Sequence, residues 1–198
     1  MNCLAGDIAF RKALDDFTSE NSSNRADCAE WPERLNRLAR EFPHHTIKVI
    51  DVEPDPGFNC ITFAIGLHAS KKHEEINRRT VNWFDPKVAV FANALFLRRL
   101  LNSQVLKISA DQSEGLIVYF NEDEESPHAG HLSNNRVRSK WGTCWLVEHA
   151  IWEVPTGYGN DYRVYHHPDV RQMEHEFIEW AEKVRGVNTA AILSRIKG

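Results

Sequence analysis

The sequence predicts an α+β fold, in which helices come first, an antiparallel sheet follows and a final helix ends the chain. Apolar residues recur at helical spacing in the first half, the period becomes two from residue 104, and helical spacing returns at residue 169. The 198 residues suffice for one substantial core. We expect a helical extension over residues 1–44, a main domain over 45–167 and a C-terminal helix within 168–198.

Two helices are predicted before the main domain. Residues 6–19 have apolar side chains at approximate helical spacing, and residues 31–42 form an amphipathic pattern with Pro32 in the first turn. The apolar residues that define the two faces are Ile8, Leu14 and Phe17 in the first helix and Trp31, Leu35, Leu38 and Phe42 in the second. The segment 46–53 alternates and predicts a short strand.

Two further helices are predicted inside the main domain. One begins at Cys60, directly after a turn-forming run, and Gly66 loosens or ends it. The other covers residues 86–101, with Asp85 as its N-cap and Pro86 in its first turn.

The sheet is predicted by stretches that have a period of two, at 104–110, 115–121, 128–133, 136–141 and 161–167. Ser133-Asn134-Asn135 is a tight-turn sequence, so residues 128–141 are expected to form a hairpin. The stretch 145–155 fits either a helix or a strand. Residues 169–186 predict an amphipathic helix, with an apolar stripe of Met173, Phe177, Trp180 and Val184.

The composition argues against several classes of function. The net charge is -4 and the basic clusters are short, so we expect no nucleic-acid partner. No stretch approaches the roughly 18–20 apolar residues of a membrane span, and the N-terminus lacks the features of a signal peptide. We therefore expect a cytoplasmic protein without a membrane partner, and leaderless export as an effector stays open.

The cysteines and histidines do not predict a metal centre. Cys3, Cys28, Cys60 and Cys144 form no CxxC pair and are expected to be reduced thiols. The ten histidines do not supply the close Cys/His spacings of a zinc site, so no cofactor is expected. Cys144 is expected in the core, and Cys3 and Cys28 are expected to have no specific role.

Cys60 is the candidate nucleophile because of its place on the first turn of a helix. The N-terminal end of a helix carries partial positive charge, which lowers the pKa of a thiol and favours the reactive thiolate. The unpaired N–H groups of that turn can also bind a developing oxyanion. A nucleophile in such a place still needs a base from elsewhere in the chain.

His128 and His131 are the candidate bases, and the sequence favours His128. Residues three apart on a strand face opposite sides, so one of the two can point at Cys60. A group that orients the base should lie on the neighbouring strand or the next element. Ser139 lies across the predicted hairpin, and Glu148 is the available carboxylate, with His149 beside it.

These residues carry a resemblance. Asn59-Cys60 before apolar residues on a helix, His128-Ala129-Gly130 opening a strand, and Ser139 on the next strand resemble the papain-like fold, and most closely its compact NlpC-type branch of cysteine peptidases and amidases. Residues from about 45 to 166 also resemble a family of uncharacterised bacterial proteins, through Asn59-Cys60, His128-Ala129-Gly130, Ser139-Lys140 with Gly142, Glu148-His149 and Tyr158-Gly159.

The resemblance implies a thiol hydrolase or acyltransferase that acts on an amide, isopeptide or peptide bond. Cys60 would be the nucleophile, His128 the base, and Ser139 or Glu148 the orienting group. Asn59 or the Cys60 amide would serve the oxyanion, Lys140 would hold a substrate carboxylate, and Glu148 and His149 would support the site. The NlpC-type pattern has histidine or asparagine at the third position, where this chain has Ser139.

Two alternatives stay open at this point. The domain could be a non-catalytic protein-binding or immunity-type module on the same scaffold, with Cys60 as a buried helix-start residue. A weaker alternative is a metal site formed by His128, His131 and Glu148, against which their alternation on a strand argues.

Overall fold

An antiparallel sheet lies at the centre of the protein, in a computed structural model that describes residues 5–19, 30–51, 57–80, 90–121, 128–141 and 145–196. Its six described strands are β1 (Lys48–Val49), β2 (Glu114–Phe120), β3 (His128–Ser133), β4 (Arg136–Trp141), β5 (Trp145–Ala150) and β6 (Asp161–Tyr165). They are ordered β1-β5-β4-β3-β2-β6, and every described pairing is antiparallel. The predicted α+β class is confirmed.

Helices precede and follow this sheet in the predicted order. The described helices are α1 (Ala5–Ser19), α2 (Trp31–Glu41), α3 (Cys60–Ala64), α4 (Lys71–Thr80), α5 (Ala94–Asn102), α6 (Val170–Lys183) and α7 (Thr189–Leu193). Short 3₁₀ turns lie at Leu67–Ala69 and Thr156–Tyr158. Gly66 has a φ of 79°, a left-handed conformation, and ends the helical run that starts at Cys60, as predicted.

The predicted start of α5 is wrong, because this helix begins at Ala94 and not near Pro86. Asn93 caps the helix by accepting from the backbone N–H groups of Leu95 and Phe96. The N–H groups just before it are already bonded elsewhere: that of Val90 donates to the Thr80 hydroxyl and that of Ala92 to the His73 ring. Asp85 and Pro86 lie outside the described residues.

The hairpin is confirmed, and the strand predicted at 104–110 is reduced to one bridge. Asn134 and Asn135 have φ values of 51° and 60°, the conformation that a two-residue hairpin turn requires at both central positions. Ile108 forms an isolated bridge to Tyr165 on the outer edge of β6. The ambiguous stretch 145–155 begins with strand β5.

Both faces of the sheet are buried, and each has its own cover. We call first face the side that carries Leu116, Val118, Phe120 and Ala129, which pack in one cluster with residues of α3, α5 and α6. Met173, Phe177 and Trp180 of α6 are buried there as predicted, whereas Val184 is 57% exposed.

The second face is the side that carries Ile117, Tyr119, Leu132 and Val137. Its β4–β5 end packs against the N-terminal helices: Phe10, Leu14, Trp31 and Leu35 share a cluster with Trp141, Trp145 and Val147. The face predicted for α2 is confirmed, and in α1 Ile8 is 45% exposed while Phe10 takes its place in the core. The helices predicted as an N-terminal extension are therefore packed directly on the sheet.

Arg11 fixes α1 to the loop that follows β5. It is only 2% exposed, and its guanidinium donates to the carbonyls of Val154, Pro155 and Gly159 over 2.9, 3.3 and 2.5 Å. One turn further along α1, the Asp15 carboxylate accepts from the Thr156 hydroxyl and the Gly157 N–H. The first helix thus holds residues 154–160 in place.

Among the described residues, no helix is long and apolar enough to cross a membrane.

Replacing Arg11 with methionine should lower the free energy of unfolding by about 3 kcal/mol, because buried carbonyls lose a charged donor and stay without a partner. Urea denaturation of the Arg11→Met variant measures the loss. Lys12→Met is the matched control, since Lys12 is an exposed cation on the same helix. Equal stability of the two variants would contradict the role given to Arg11.

Candidate active site

Asn59 sets the start of the helix that carries Cys60. Its side-chain oxygen accepts from the Thr62 N–H over 2.8 Å, which is the usual N-cap bond. Its amide nitrogen donates to the Ala92 carbonyl over 2.9 Å, and the Thr62 hydroxyl donates to the same carbonyl over 3.2 Å. Because both ends of the Asn59 amide are engaged, this side chain is a helix cap that ties α3 to the segment before α5.

The thiol of Cys60 lies against the beginning of β3. Cys60 is 9% exposed, and burial raises the pKa of its thiol to about 11. The backbone N–H groups of Ala129, Ile61 and Cys60 itself act in the opposite direction and lower that pKa. The site therefore holds a neutral thiol at rest, and the backbone of Ala129, Ile61 and Cys60 favours its anionic form.

His128 lies on the second face, away from the cover that contains Cys60. The register of β2 and β3 pairs His128 with Tyr119 and Ala129 with Val118, so the His128 ring is on the opposite side from Ala129. That ring stacks on Tyr158, with centroids 3.9 Å apart and an interplanar angle of 14°. His128, the base that the sequence favours, therefore does not point at Cys60.

The environment of His128 is that of a buried neutral imidazole. The residue has no exposed surface, and no described residue hydrogen-bonds to either ring nitrogen. Burial, and secondarily the nearby His149, hold the pKa of His128 well below its ordinary value. Neutral His128 packs between aromatic rings and does not contact the thiol.

His131 is the histidine of β3 that shares the first face with Cys60. Its ring packs edge-on against Phe63 of α3, with centroids 5.0 Å apart. A ring N–H donates to the Phe63 carbonyl, which raises the pKa of His131, but burial outweighs this and lowers it. The other ring nitrogen is therefore a neutral acceptor near pH 7.

Ser139 lies on the second face, and its partner is His149. The Ser139 hydroxyl and His149 Nε2 are 2.9 Å apart, and Trp141 Nε1 donates to the same hydroxyl over 3.1 Å. His149 Nδ1 is 2.8 Å from the Ala150 carbonyl, which can only accept, so Nδ1 carries the proton and Ser139 donates to Nε2. Ser139 therefore does not orient His128.

This serine–histidine pair is fully enclosed. Ser139 and His149 have no exposed surface, and burial lowers the pKa of His149 to about 4. Gly130 lets β3 approach the pair, because a Cβ at Gly130 would come within 2.9 Å of the Ser139 Cβ. Three of the predicted site residues thus form a buried layer on the second face, namely His128, Ser139 and His149.

Lys140 and Glu148 lie on the first face, on the opposite side of the sheet from Ser139 and His149. Lys140 is fully buried, with its Nζ 4.3 Å from the centre of the Phe58 ring and 3.9 Å from the Asp51 carboxylate. Glu148 lies near the surface between Arg136 and Arg138, and its hydrogen bond with Arg138 lowers the pKa of the carboxyl. Lys140 has an internal carboxylate partner, and Glu148 is not an orienting group.

The described residues contain no group of three or more His, Cys, Asp or Glu side chains arranged to hold a metal ion. His128 and His131 face opposite sides of the sheet, and Glu148 is paired with arginines, so these three do not converge. Cys3, Cys28, Gly142 and Cys144 lie outside the described residues.

The sequence does not predict the structural roles of Arg11 and Tyr158. The available signal for Arg11 is a cation on an apolar helix face, next to Phe10 and one turn before Leu14. No sequence pattern indicates that Tyr158 stacks on His128.

Comparisons of the chain with models of protein families, with curated proteins and with solved structures found no match.

The buried histidines should make stability fall in acid. His149 has a folded pKa of about 4, below its ordinary value of 6.5, so the unfolded chain binds the proton first as the pH falls. This group contributes stability that is present above pH 6.5 and is lost between pH 6.5 and 4, of the order of 3 kcal/mol.

Urea denaturation at several pH values between 7 and 4 measures this loss in the wild type and in His149→Gln. In the variant, the free energy of unfolding should fall less steeply with falling pH, because about one proton fewer is taken up on unfolding. His166→Gln serves as the control because His166 is exposed. If His149→Gln and the control both keep the wild-type slope, His149 is not the group responsible.

Proposed function

We propose that this protein is a thiol hydrolase or acyltransferase of papain-like architecture that cleaves or transfers at an amide, isopeptide or peptide bond. The observation that carries the proposal is the position of Cys60, whose thiol lies on the first turn of α3 and packs in one cluster with Ala129 of β3. Backbone groups of Ala129, Ile61 and Cys60 favour its anionic form there. Such groups stabilise a thiolate and the oxyanion of a tetrahedral intermediate, which are the two anions of acyl transfer to cysteine.

Cys60 is the nucleophile in this proposal, and His131 replaces His128 as the general base. The Cys60 thiol lies at Ala129. His131 is on the same face of β3, two residues or about 7 Å along the strand from Ala129. The proposal therefore requires that ordered water relays the proton between the thiol and the imidazole. His128, which faces the other side, keeps a packing role.

The reaction begins with a neutral thiol and a neutral imidazole. The Cys60 sulfur attacks the carbonyl carbon, and its proton passes to His131. This attack forms the C–S bond and places negative charge on the carbonyl oxygen, which the backbone N–H groups stabilise. Collapse of this intermediate breaks the C–N bond, and the imidazolium returns its proton to the leaving amine. Water, or a second amine, then attacks the thioester by the same route and releases Cys60.

The substrate class follows from this chemistry. The proposed step breaks a C–N bond and leaves the acyl group on the Cys60 sulfur, so peptides, isopeptides and cell-wall peptides are all candidates. Lys140 is not assigned to substrate binding, because its ammonium is buried beside Asp51.

A second candidate is a non-catalytic protein-binding or immunity-type module on the same scaffold. The burial of Cys60 and the thiol pKa of about 11 favour it, since a structural cysteine has these properties. In that case the backbone groups around Cys60 only stabilise the start of α3, and the thiol takes part in no reaction.

Acylation by an activated ester separates the two candidates. With p-nitrophenyl acetate, intact-mass spectrometry should show one acetyl group that maps to Cys60 in the wild type and is absent in Cys60→Ser. His131→Gln should slow acylation by at least about 100-fold, because it removes the general base. His128→Gln should leave the rate within about threefold of the wild type.

Three other cysteines provide internal controls, since Cys3→Ser, Cys28→Ser and Cys144→Ser should each keep the acetyl group at Cys60. Acylation that persists in Cys60→Ser, or that is equally fast in His131→Gln and the wild type, would refute the proposal. A wild type that is not acylated at all would support the binding module.

The pH dependence of acylation should report the imidazole and not the thiol. Because burial lowers the pKa of His131, the rate should be constant from pH 7 to 9 and should fall only as the pH drops below 6.5. Stopped-flow release of p-nitrophenol measures the profile. A rate that rises tenfold per pH unit up to pH 9 would instead indicate spontaneous reaction of a thiolate whose pKa is high.

A further inference from the structure

A pocket of about 540 Å³ opens on the side of the molecule that carries the end of α5 and strand β6. Its walls are the last turn of α5, residues 104–108, and the first-face side chains of β2 and β6. The volume lies within the roughly 300–1,000 Å³ range that is common for small-molecule sites.

Positive charge is concentrated in this pocket although the whole chain has a net charge of -4. Arg98, Lys107 and Arg163 come from three separate chain segments and all line it. Among the described lining residues, none carries a carboxylate.

The walls between these cations are apolar and aromatic. Phe120 and Tyr165 are each 5% exposed, and Ile108 is 64% exposed. All three line the pocket, so an apolar body can rest between them while a polar group reaches the cations.

The fold holds the Arg163 side chain in position and fixes the backbone that carries Lys107. The Arg163 guanidinium lies over the Phe120 ring, 4.5 Å from its centre, and it bonds to the Tyr165 side chain. The Lys107 carbonyl accepts from the His166 N–H over 2.9 Å, which fastens that segment to the edge of β6. Gln104 has a φ of 58°, and this left-handed residue turns the chain from α5 into the pocket wall.

We infer that this pocket binds a small organic anion, in which a phosphate or carboxylate group contacts Arg98, Lys107 and Arg163 and an apolar or aromatic body contacts Phe120, Tyr165 and Ile108. Guanidinium groups suit this role because they bind the oxygens of such anions in pairs. The inference is independent of the proposed chemistry at Cys60.

Titration with phenyl phosphate, followed by ¹H–¹⁵N NMR of the full chain, tests the inference. Saturable shifts should be confined to the end of α5, to residues 104–108 and to the adjoining ends of β2 and β6. Benzoate should shift the same signals. Inorganic phosphate and phenol should each bind more weakly than phenyl phosphate, because phosphate has only the anionic group and phenol only the aromatic ring. Affinity should fall as salt rises from 50 to 300 mM.

Arg163→Gln should weaken phenyl phosphate binding by about tenfold, since one charged hydrogen bond is lost. Lys107→Gln, at an exposed position where folding is not at risk, should weaken it about threefold or more. Arg171→Gln removes an exposed cation outside the pocket and should leave the affinity within twofold. The inference is overturned if the shifts do not saturate, if they spread over other basic surfaces, or if all three variants bind equally.

Discussion

Burial of both faces of the central sheet is the constraint on which the other features depend. Strand β3 has helix α3 against one side and the aromatic layer under α1 and α2 against the other. Because neighbouring residues of a strand alternate between these sides, the register of β3 decides which histidine is near Cys60. That register directs His131 toward α3 and His128 toward Tyr158.

The two sides use polar groups in different ways. On the second face Ser139 and His149 satisfy each other inside an apolar environment, where an unpaired donor would be costly. On the first face the Cys60 thiol meets backbone N–H groups whose full electrostatic benefit requires an anion. This difference is why we propose a structural role for Ser139 and His149 and a catalytic role for Cys60.

Much of the fold could be predicted, since local patterns determine the β2–β4 strands, the Asn134-Asn135 turn and the apolar face of α2. The side to which His128 points could not be predicted. Both faces of the sheet are buried, so His-Ala-Gly-His-Leu does not alternate between polar and apolar residues. Tertiary partners also decided the start of α5, where His73 and Thr80 bind N–H groups that a longer helix would have used.

The central claim, that His131 and not His128 shares a face with Cys60, is tested most directly by nuclear Overhauser effects from the assigned imidazole protons. We predict cross-peaks from the His128 ring to the rings of Tyr158 and Tyr119, and from the His131 ring to Phe63. A cross-peak between the His128 ring and the Cys60 β-protons, together with loss of its contacts to Tyr158, would contradict the account.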